Sequence, residues 1–348
     1  MTYDFRSDNV APPRAEFLDA ALRSCAGWMD AYGEDSITAR VEDMFADIFE
    51  HEVVAFPILT GTAANALALA QISNRFGQIL CHRSSHIYLD ECGAVEFHNP
   101  GGRLKPLNGE GGKLDVDHCA RALGVIDDVH QLRCTALSIS QATEMGTYYS
   151  AGEVGKLAAL AKKNGMAVHM DGTRFANVVA ASEAAPAELT WQSGVDVLCL
   201  GATKGGAIGA EVVLFFDRHQ AMDFKRLMKR SGHLPSRMWF LAAQLQACFQ
   251  GGLWLESARH ANAMAARLGA ALETGHPIVP YHPVQTNMVF LKIDQATRDY
   301  LRQQGFDFYT VEDEKDGILA RLVTSHATQP DDVDRLVDAI RCAVHNAA

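Results

Sequence analysis

The sequence has no excess of positive charge and no hydrophobic run long enough to span a membrane. Its 348 residues include 31 Lys and Arg against 42 Asp and Glu, a net charge of −11 at pH 7. We therefore expect no nucleic-acid partner. No apolar stretch approaches the roughly 20 residues of a transmembrane helix, so we expect no membrane partner either. The N-terminal segment has no apolar signal-peptide core, which predicts a cytoplasmic location.

Closely spaced cysteines and a dinucleotide-binding motif are also missing. None of the eight cysteines forms a Cys-x-x-Cys pair, and zinc sites and disulfide frameworks use closer, more regular spacings. We therefore expect reduced thiols and no metal site. No G-x-G-x-x-G motif follows the first predicted strand, which argues against a flavin or nicotinamide oxidoreductase.

From residue 50 to about residue 216, strand-like and helix-like segments alternate. Apolar runs predict strands at 52–59, 78–82, 103–107, 133–140, 166–171, 195–205 and 210–216. Two of the intervening segments, residues 62–76 and 150–165, are typical of helices, and the second begins with a capping box at Ser150 and Glu153. The alternation predicts an α/β fold with a mainly parallel sheet.

After residue 217 the pattern changes. Helical segments dominate at first, and residues 276–348 return to a mixture of strands and helices, with strands expected at 287–293 and 318–325. We predict a large domain over residues 1–255, including an N-terminal arm, and a smaller α+β domain over residues 256–348.

Three predicted strands are followed by residues suited to chemistry, and ligands of such sheets bind at the carboxyl ends of the strands. Residues 60–62 lie between a predicted strand and a predicted helix. They form either a helix start whose free N–H groups bind an anion, or a simple turn capped by Thr62. Asp171 ends a strand and is either a ligand-binding carboxylate or paired locally with Arg174. Lys204 lies at the end of the predicted strand at 195–205. It is either a desolvated nucleophile or a loop lysine that reaches solvent.

Together these three segments meet the needs of one cofactor, pyridoxal 5'-phosphate. This cofactor requires an anion cradle for its phosphate, a carboxylate for its pyridine nitrogen and a lysine that forms a Schiff base with its aldehyde. The segments at residues 60–62, Asp171 and Lys204 supply the three requirements in chain order.

Six short motifs along nearly the whole chain resemble the low-specificity L-threonine aldolases among the fold-type I pyridoxal-phosphate enzymes. They are DFRSDNV at 4–10, YGED at 32–35, TGTAAN at 60–65, HIYLDE at 86–91, HMDGTR at 169–174 and TKG at 203–205. The resemblance implies a fold-type I, transferase-like large domain. Two features differ from the common pattern: DGTRF and TKGG replace DGARL and SKGL, and the loop at 229–237 is longer than usual.

The resemblance also implies roles for individual residues. Lys204 would hold the cofactor, Asp171 would pair with the pyridine nitrogen, and Arg174 would approach the phenolic oxygen. The remaining cofactor contacts implied are Gly61, Thr62 and Thr203 at the phosphate, the stacking His86, and the cationic Lys229 and Arg237.

The substrate contacts follow from the same resemblance. Arg321 would bind the substrate carboxylate, because a guanidinium grips a carboxylate with two parallel bonds, and Ser7 would add a third. Glu91 would position His86 or a loop beside the substrate. His86 or His130, directly or through water, would be the catalytic base.

The implied reaction is the retro-aldol cleavage of L-threonine, L-allo-threonine and related amino acids to glycine and an aldehyde. A cytoplasmic homo-oligomer, a tetramer built as a dimer of dimers, is implied with it. The alternatives are a preference for phenylserine, a β-elimination or a racemisation. A noncatalytic binding protein of the same fold is disfavoured by the presence of Lys204, Asp171 and Arg321.

Overall fold

The computed structural model describes residues 3–24, 27–123, 129–273, 277–313 and 317–347. In chain order the strands are β1 (Tyr3–Asp4), β2 (Val54–Ile58), β3 (Gly77–His82), β4 (Arg103–Leu107), β5 (Arg133–Ser140), β6 (Ala167–Gly172), β7 (Val197–Gly201), β8 (Glu211–Phe215), β9 (Met288–Ile293), β10 (Phe306–Asp307), β11 (Tyr309–Asp313) and β12 (Gly317–Val323). The α-helices are α1 (Ala15–Arg23), α2 (Ser36–Phe49), α3 (Gly61–Ile72), α4 (His86–Leu89), α5 (Ala94–His98), α6 (Val116–Ala122), α7 (Ala151–Lys163), α8 (Phe175–Ser182), α9 (Phe224–Arg230), α10 (Trp239–Gln250), α11 (Leu253–Glu273), α12 (Gln295–Gln303) and α13 (Pro330–Ala347).

Seven strands form the central sheet, in the order β2-β8-β7-β6-β5-β3-β4. Strand β8 is antiparallel to both of its neighbours, and all other pairs are parallel. Strands β2, β3, β5, β6 and β7 therefore end at the same edge of the sheet. The predicted α/β class with a mainly parallel mixed sheet is confirmed.

The sheet is buried on both faces, which explains the apolar runs of β5 to β8. One face packs into the largest core, which includes Leu137, Val168, Leu198 and Leu214. The other face contributes to a core under α3, α9 and α10, where Phe215 packs.

A separate core belongs to the C-terminal part of the chain, where β9, β11 and β12 form a second sheet. The N-terminal arm packs into this C-terminal core: β1 pairs with β10, and Phe5 is buried among the residues of the core. Helix α11 connects the two cores, with Trp254 in the first and Leu268 in the second. The predicted domain boundary at residue 255 lies near the start of this helix and stays a prediction.

The predicted capping box of α7 is present, with Ser150 and Glu153 bonded to each other's backbone N–H groups. The helix expected at 62–76 is shorter and ends at Ile72. Of residues 218–232, expected to be helical, only Phe224–Arg230 form a helix. The Asp217 side chain accepts a hydrogen bond from the N–H of His219, which stabilises a turn before it.

The seven described cysteines are free thiols, in line with the expectation from their spacing, and Cys25 lies outside the described residues. Across those same residues, no helix has both the length and the apolar character needed to cross a membrane.

Candidate active site

Polar side chains from several strands converge at the carboxyl edge of the central sheet, around a cavity of about 480 Å³. Its lining comes from the turn after β2, from α3 and α4, and from the segments that follow β6 and β7. Among the lining residues are Gly61, Thr62, Asn65, His86, Thr203 and Lys204. The sequence analysis predicted this convergence, because the ends of parallel strands share one edge.

Lys204 lies in a short turn immediately after β7, and its side chain is half-buried at the cavity wall. Within the described part of the chain, its Nζ donates a hydrogen bond to the hydroxyl of Thr173 at 3.2 Å. Burial lowers the pKa of the amine, and the charge of Arg174 lowers it further. A lowered pKa increases the neutral, nucleophilic fraction, so the desolvated nucleophile is the better interpretation of Lys204.

Asp171 is buried at the end of β6. Its two oxygens accept hydrogen bonds from the side-chain amide of Asn65 at 3.0 Å and from the N–H of Thr173 at 3.1 Å. Burial opposes its ionisation, yet the charges of His86 and Lys204 hold the pKa below its ordinary value. A carboxylate is therefore kept at the floor of the site.

Arg174 does not pair with Asp171, so the local ion pair considered from the sequence is wrong. Its guanidinium instead donates two hydrogen bonds to Asp8, at 2.8 and 2.9 Å, and both side chains are buried. Asn287 donates a third bond to Asp8 at 3.1 Å. This cluster fixes the N-terminal arm beside β6. The predicted contact of Arg174 with a phenolic oxygen stays a prediction.

His86, Glu91, Asn65 and Asp171 form one hydrogen-bonded chain. Glu91 lies 2.8 Å from Nδ1 of His86 and accepts a bond of 2.9 Å from Asn65, which also bonds Asp171. The hydrogen bond to Glu91 raises the pKa of His86. The predicted positioning of His86 by Glu91 agrees with this geometry. The sequence analysis missed Asn65, although a polar residue within the apolar helix ANALALA is a usable signal.

The start of α3 is capped by Thr60 and not by Thr62. The Thr60 hydroxyl accepts a hydrogen bond from the N–H of Ala63 at 3.2 Å. No described residue accepts from the N–H groups of Gly61 and Thr62, both of which line the cavity. Two orphan donors and the helix dipole make this turn suited to an anion.

Glu211 begins β8 beside Thr203 and also lines the cavity. Burial raises the pKa of its carboxyl group from an ordinary 4.5 to about 7. A side chain at Gly201 would collide with this carboxyl group, since an added Cβ would lie 2.7 Å from its Oε2. An acid at the head of an otherwise apolar strand was a signal that the sequence analysis did not use.

Glu211 makes the stability of the cofactor-free protein depend on pH. A carboxyl with a raised folded-state pKa stabilises the fold at low pH, and this contribution is lost as the pH rises through about 7. Between pH 5 and 8, the free energy of unfolding of the wild type should fall about 2–3 kcal/mol further than that of Glu211→Gln. Urea unfolding at both pH values measures this difference, with the exposed Glu52→Gln as control. Equal losses in wild type and Glu211→Gln would contradict it.

Arg321 lies on β12, opposite Tyr309 and Phe290 of the neighbouring strands. Its Nε is buried without a hydrogen-bond partner in the described structure. Burial lowers the pKa of the guanidinium, and the nearby Arg174 lowers it further. A buried donor without an acceptor is costly, and a substrate carboxylate would satisfy it. Ser7 caps the single helical turn Asp8–Val10, and its hydroxyl accepts a hydrogen bond from the N–H of Asn9 at 3.2 Å.

Three predicted site residues are exposed at positions away from the cavity. His130 is exposed and precedes β5, at the opposite edge of the sheet from Lys204. Lys229 is exposed on α9, with its Nζ 4.1 Å from the centre of the Tyr32 ring. Arg237 is exposed before α10. Within one chain, the structure therefore does not bring these residues to Lys204.

Comparison with known proteins gives consistent matches. The sequence profile of the family described as "Beta-eliminating lyase" matches residues 4–296. The low specificity L-threonine aldolase of Pseudomonas aeruginosa is 40% identical over 310 residues, 89% of this chain and 89% of that protein. The enzyme of the same name from a Pseudomonas species is 37% identical over 310 residues, 89% of this chain and 90% of that protein.

A solved structure supports the same relationship. The threonine aldolase of Leishmania major aligns with a TM-score of 0.92 and 27% identity, over 98% of this chain and 99% of that one. The resemblance identified from the six motifs is confirmed.

Proposed function

Because the chain belongs to the beta-eliminating lyase family, we propose that it cleaves L-threonine, L-allo-threonine and related L-β-hydroxy-α-amino acids to glycine and an aldehyde. The observation that carries the proposal is the half-buried Lys204 amine at the sheet edge, in a site that also holds the buried carboxylate Asp171. Relatives named low specificity L-threonine aldolase, which match over nine-tenths of the chain, support the same substrate class.

The donor set fits pyridoxal 5'-phosphate. The Lys204 amine has no carboxylate hydrogen-bond partner among the described residues, and it remains available to the cofactor aldehyde. Asp171 has no cationic hydrogen-bond partner there either, and it would pair with the pyridine nitrogen. The N–H groups of Gly61 and Thr62, with the Thr203 hydroxyl nearby, would hold the phosphate. When bound, the cofactor supplies an electron sink for the carbanion left by bond cleavage.

The protein's own contribution is to orient the substrate. Arg321, with Ser7, would hold the substrate carboxylate, and His86 would lie over the cofactor ring where its Nδ1 is fixed by Glu91. The bond that breaks must lie perpendicular to the ring plane, so a fixed carboxylate selects the Cα–Cβ bond over the others at Cα. This selection is what separates aldol cleavage from racemisation of the same substrate.

We extend the proposal to a cytoplasmic homo-oligomer, with a tetramer as the expected state. Leu59 and Ile208 are exposed apolar residues on the rim of the cavity, and Leu89 is exposed at the end of α4. Apolar side chains in such a position favour burial against a second chain. Lys229 and Arg237, which lie away from the cavity, would then reach the site of a neighbouring chain.

Replacing Arg321 with Lys should weaken both binding and orientation. Lysine keeps the charge but loses the planar fork, and one charge-assisted hydrogen bond is worth about 1.5–3 kcal/mol, or about 10- to 150-fold in kcat/KM. We expect a higher KM for L-threonine, a lower kcat, and a larger share of racemisation. Steady-state kinetics per bound cofactor measure this, with the exposed Arg335→Lys as control. Unchanged constants in Arg321→Lys would place the carboxylate elsewhere.

A substrate panel tests the proposed function. L-threonine, L-allo-threonine, L-phenylserine and their D-enantiomers are incubated with cofactor-loaded protein, and aldehyde and glycine are quantified together. Equal amounts of aldehyde and glycine from the L-amino acids are the expected result. Ammonia and a keto acid without glycine would indicate β-elimination, and enantiomer formation alone would indicate racemisation; either outcome contradicts the proposal.

A further inference from the structure

Glu144 is a carboxylate in the loop that follows β5, at the same sheet edge as Lys204. Contacts on both sides hold this loop in place. The N–H of Gln141 donates to the carbonyl of Asp171 at 2.7 Å, which fastens the loop to β6. The hydroxyl of Thr286 donates to the carbonyl of Gly146 at 2.9 Å, which fastens it to the segment before β9. Glu144 lies between these two anchors, and the backbone around it is therefore fixed.

The negative charge of Glu144 acts on four cationic groups of the site: His86, Arg174, Lys204 and Arg321. These residues belong to four different segments, and all four are assigned to cofactor or substrate in the proposed function. The carboxylate therefore belongs to the same electrostatic cluster as these four groups. It is half-buried, and it forms no hydrogen bond or ion pair with a described residue.

The other buried acidic groups of the site are already engaged. Asp8 accepts both bonds of Arg174, Asp171 accepts from Asn65 and Thr173, and Glu91 accepts from Asn65 and holds His86. Glu211 is bonded to Thr203. Asp90, whose charge also acts on Arg321, is exposed. Among the described acidic residues of the site that are not exposed, Glu144 is thus the one with both oxygens available to a ligand.

His86 is the weaker candidate for accepting a proton. Its Nδ1 is occupied by Glu91, which leaves Nε2 as the acceptor of the neutral ring, but that hydrogen bond raises the pKa of the ring, so that a larger fraction is already protonated and cannot accept a proton near neutral pH. His130 lies at the other edge of the sheet. A general base must be within reach of the proton it removes and must have a free acceptor atom.

We propose that Glu144 accepts the proton of the substrate's β-hydroxyl group as the carbon–carbon bond breaks. The inference rests on the proposed function, since it assigns a residue to that reaction. The O–H bond breaks and its proton moves to an oxygen of Glu144, while the hydroxyl oxygen becomes the carbonyl of the aldehyde. The electron pair of the Cα–Cβ bond stays on Cα, where the cofactor, when bound, would stabilise it. Water supplies the proton that adds to Cα to give glycine, and Glu144 releases its own proton to water, so that the protons balance.

Glu144→Gln separates this role from general electrostatic support. Glutamine keeps the shape but accepts no proton, so cleavage of L-threonine should fall by about 10²- to 10⁴-fold in kcat. The exchange of the α-protons of glycine in D₂O, followed by NMR, involves no β-hydroxyl group. The rate of this exchange should change less than about threefold in Glu144→Gln, because the role of Glu144 is confined to that hydroxyl.

Two binding measurements are made on the same variant. The dissociation constant of the cofactor, from absorbance titration of the cofactor-free protein, should remain that of the wild type. The dissociation constant of L-2-aminobutyrate, which is L-threonine without its hydroxyl group, should also be unchanged. Glu144→Asp keeps a carboxylate on a shorter side chain and should recover part of the cleavage. The exposed Glu110→Gln, on a segment bonded to the same loop, is the matched control and should behave as wild type.

The outcomes separate the two proposals. Equal losses of cleavage and of glycine exchange in Glu144→Gln would overturn the role proposed for Glu144, as would unimpaired cleavage. If the wild type exchanges the α-protons of glycine but cleaves none of the β-hydroxy-amino acids, the proposed function itself is wrong, and the role of Glu144 is wrong with it.

Discussion

Replacing Lys204 with Ala should reduce the cleavage of L-threonine by on the order of 10⁴-fold or more, because the variant lacks the amine that attacks the cofactor aldehyde. The position of Lys204 supports the size of this effect. Its Nζ has a neutral partner, Thr173, and the side chain lines the cavity between the anion-binding turn and Asp171. Folding should be preserved, because the substitution leaves Thr173 hydrogen-bonding to solvent in an open cavity.

A covalent readout accompanies the kinetics. Borohydride should attach the cofactor to the wild type permanently, and mass spectrometry should find the added mass on the peptide that contains Lys204. Lys204→Ala should bind cofactor without such attachment, and a small aliphatic amine in the buffer should restore part of the activity. The exposed Lys163→Ala should match the wild type in each assay. Full activity in Lys204→Ala, or attachment at another lysine, would remove Lys204 from the mechanism.

Much of the site follows from one rule, that the ends of parallel strands meet at one edge. The rule applies to residues 60–62, to Asp171 and to Lys204, because each lies at or just after the carboxyl end of a strand that is recognisable from its apolar run. It also applies to Glu144, which follows β5 in the same way, and the sequence analysis overlooked it.

Other parts of the site depend on distances that no local pattern encodes. Asn65 and Asp171 are 106 positions apart, and Asp8 and Arg174 are 166 apart. Asn65 reaches Asp171 because α3 packs across the sheet. Asp8 follows β1, which pairs with β10 in a separate two-stranded sheet and so brings the N-terminal arm back to the site. Motif spacing identifies such residues as candidates, but their partners are set by tertiary packing.

Strand position also argues against one residue. His130 precedes β5, and a residue before a parallel strand lies at the edge opposite to the site. The family resemblance assigned it a catalytic role, whereas the direction of the strand places it far from Lys204 within one chain. Where a motif and a strand direction disagree in this fold, the strand direction is the more direct physical constraint.

Replacing Asp171 with Asn should have the second largest effect. The buried carboxylate would keep the pyridine nitrogen of the cofactor protonated, and a protonated ring accepts electrons from the substrate carbon far better than a neutral one. Asparagine preserves the shape of the side chain. Its amide oxygen can still accept the hydrogen bond that the N–H of Thr173 donates to Asp171 at 3.1 Å in the wild type. It loses the charge that the fields of His86 and Lys204 stabilise.

We expect kcat for L-threonine to fall by about 10²- to 10³-fold in Asp171→Asn, the size of effect seen when one preorganised electrostatic contact is removed, with a much smaller change in KM. The absorbance of the bound cofactor should shift as its ring nitrogen loses its proton, a change that a purely structural role would not produce. Asp115→Asn is the matched control, because Asp115 caps α6 at the surface and asparagine caps a helix equally well. A wild-type kcat with an unchanged spectrum in Asp171→Asn would show that another group supports the ring. Glu91 is the nearest such group by hydrogen bonding, because Asn65 links it to Asp171.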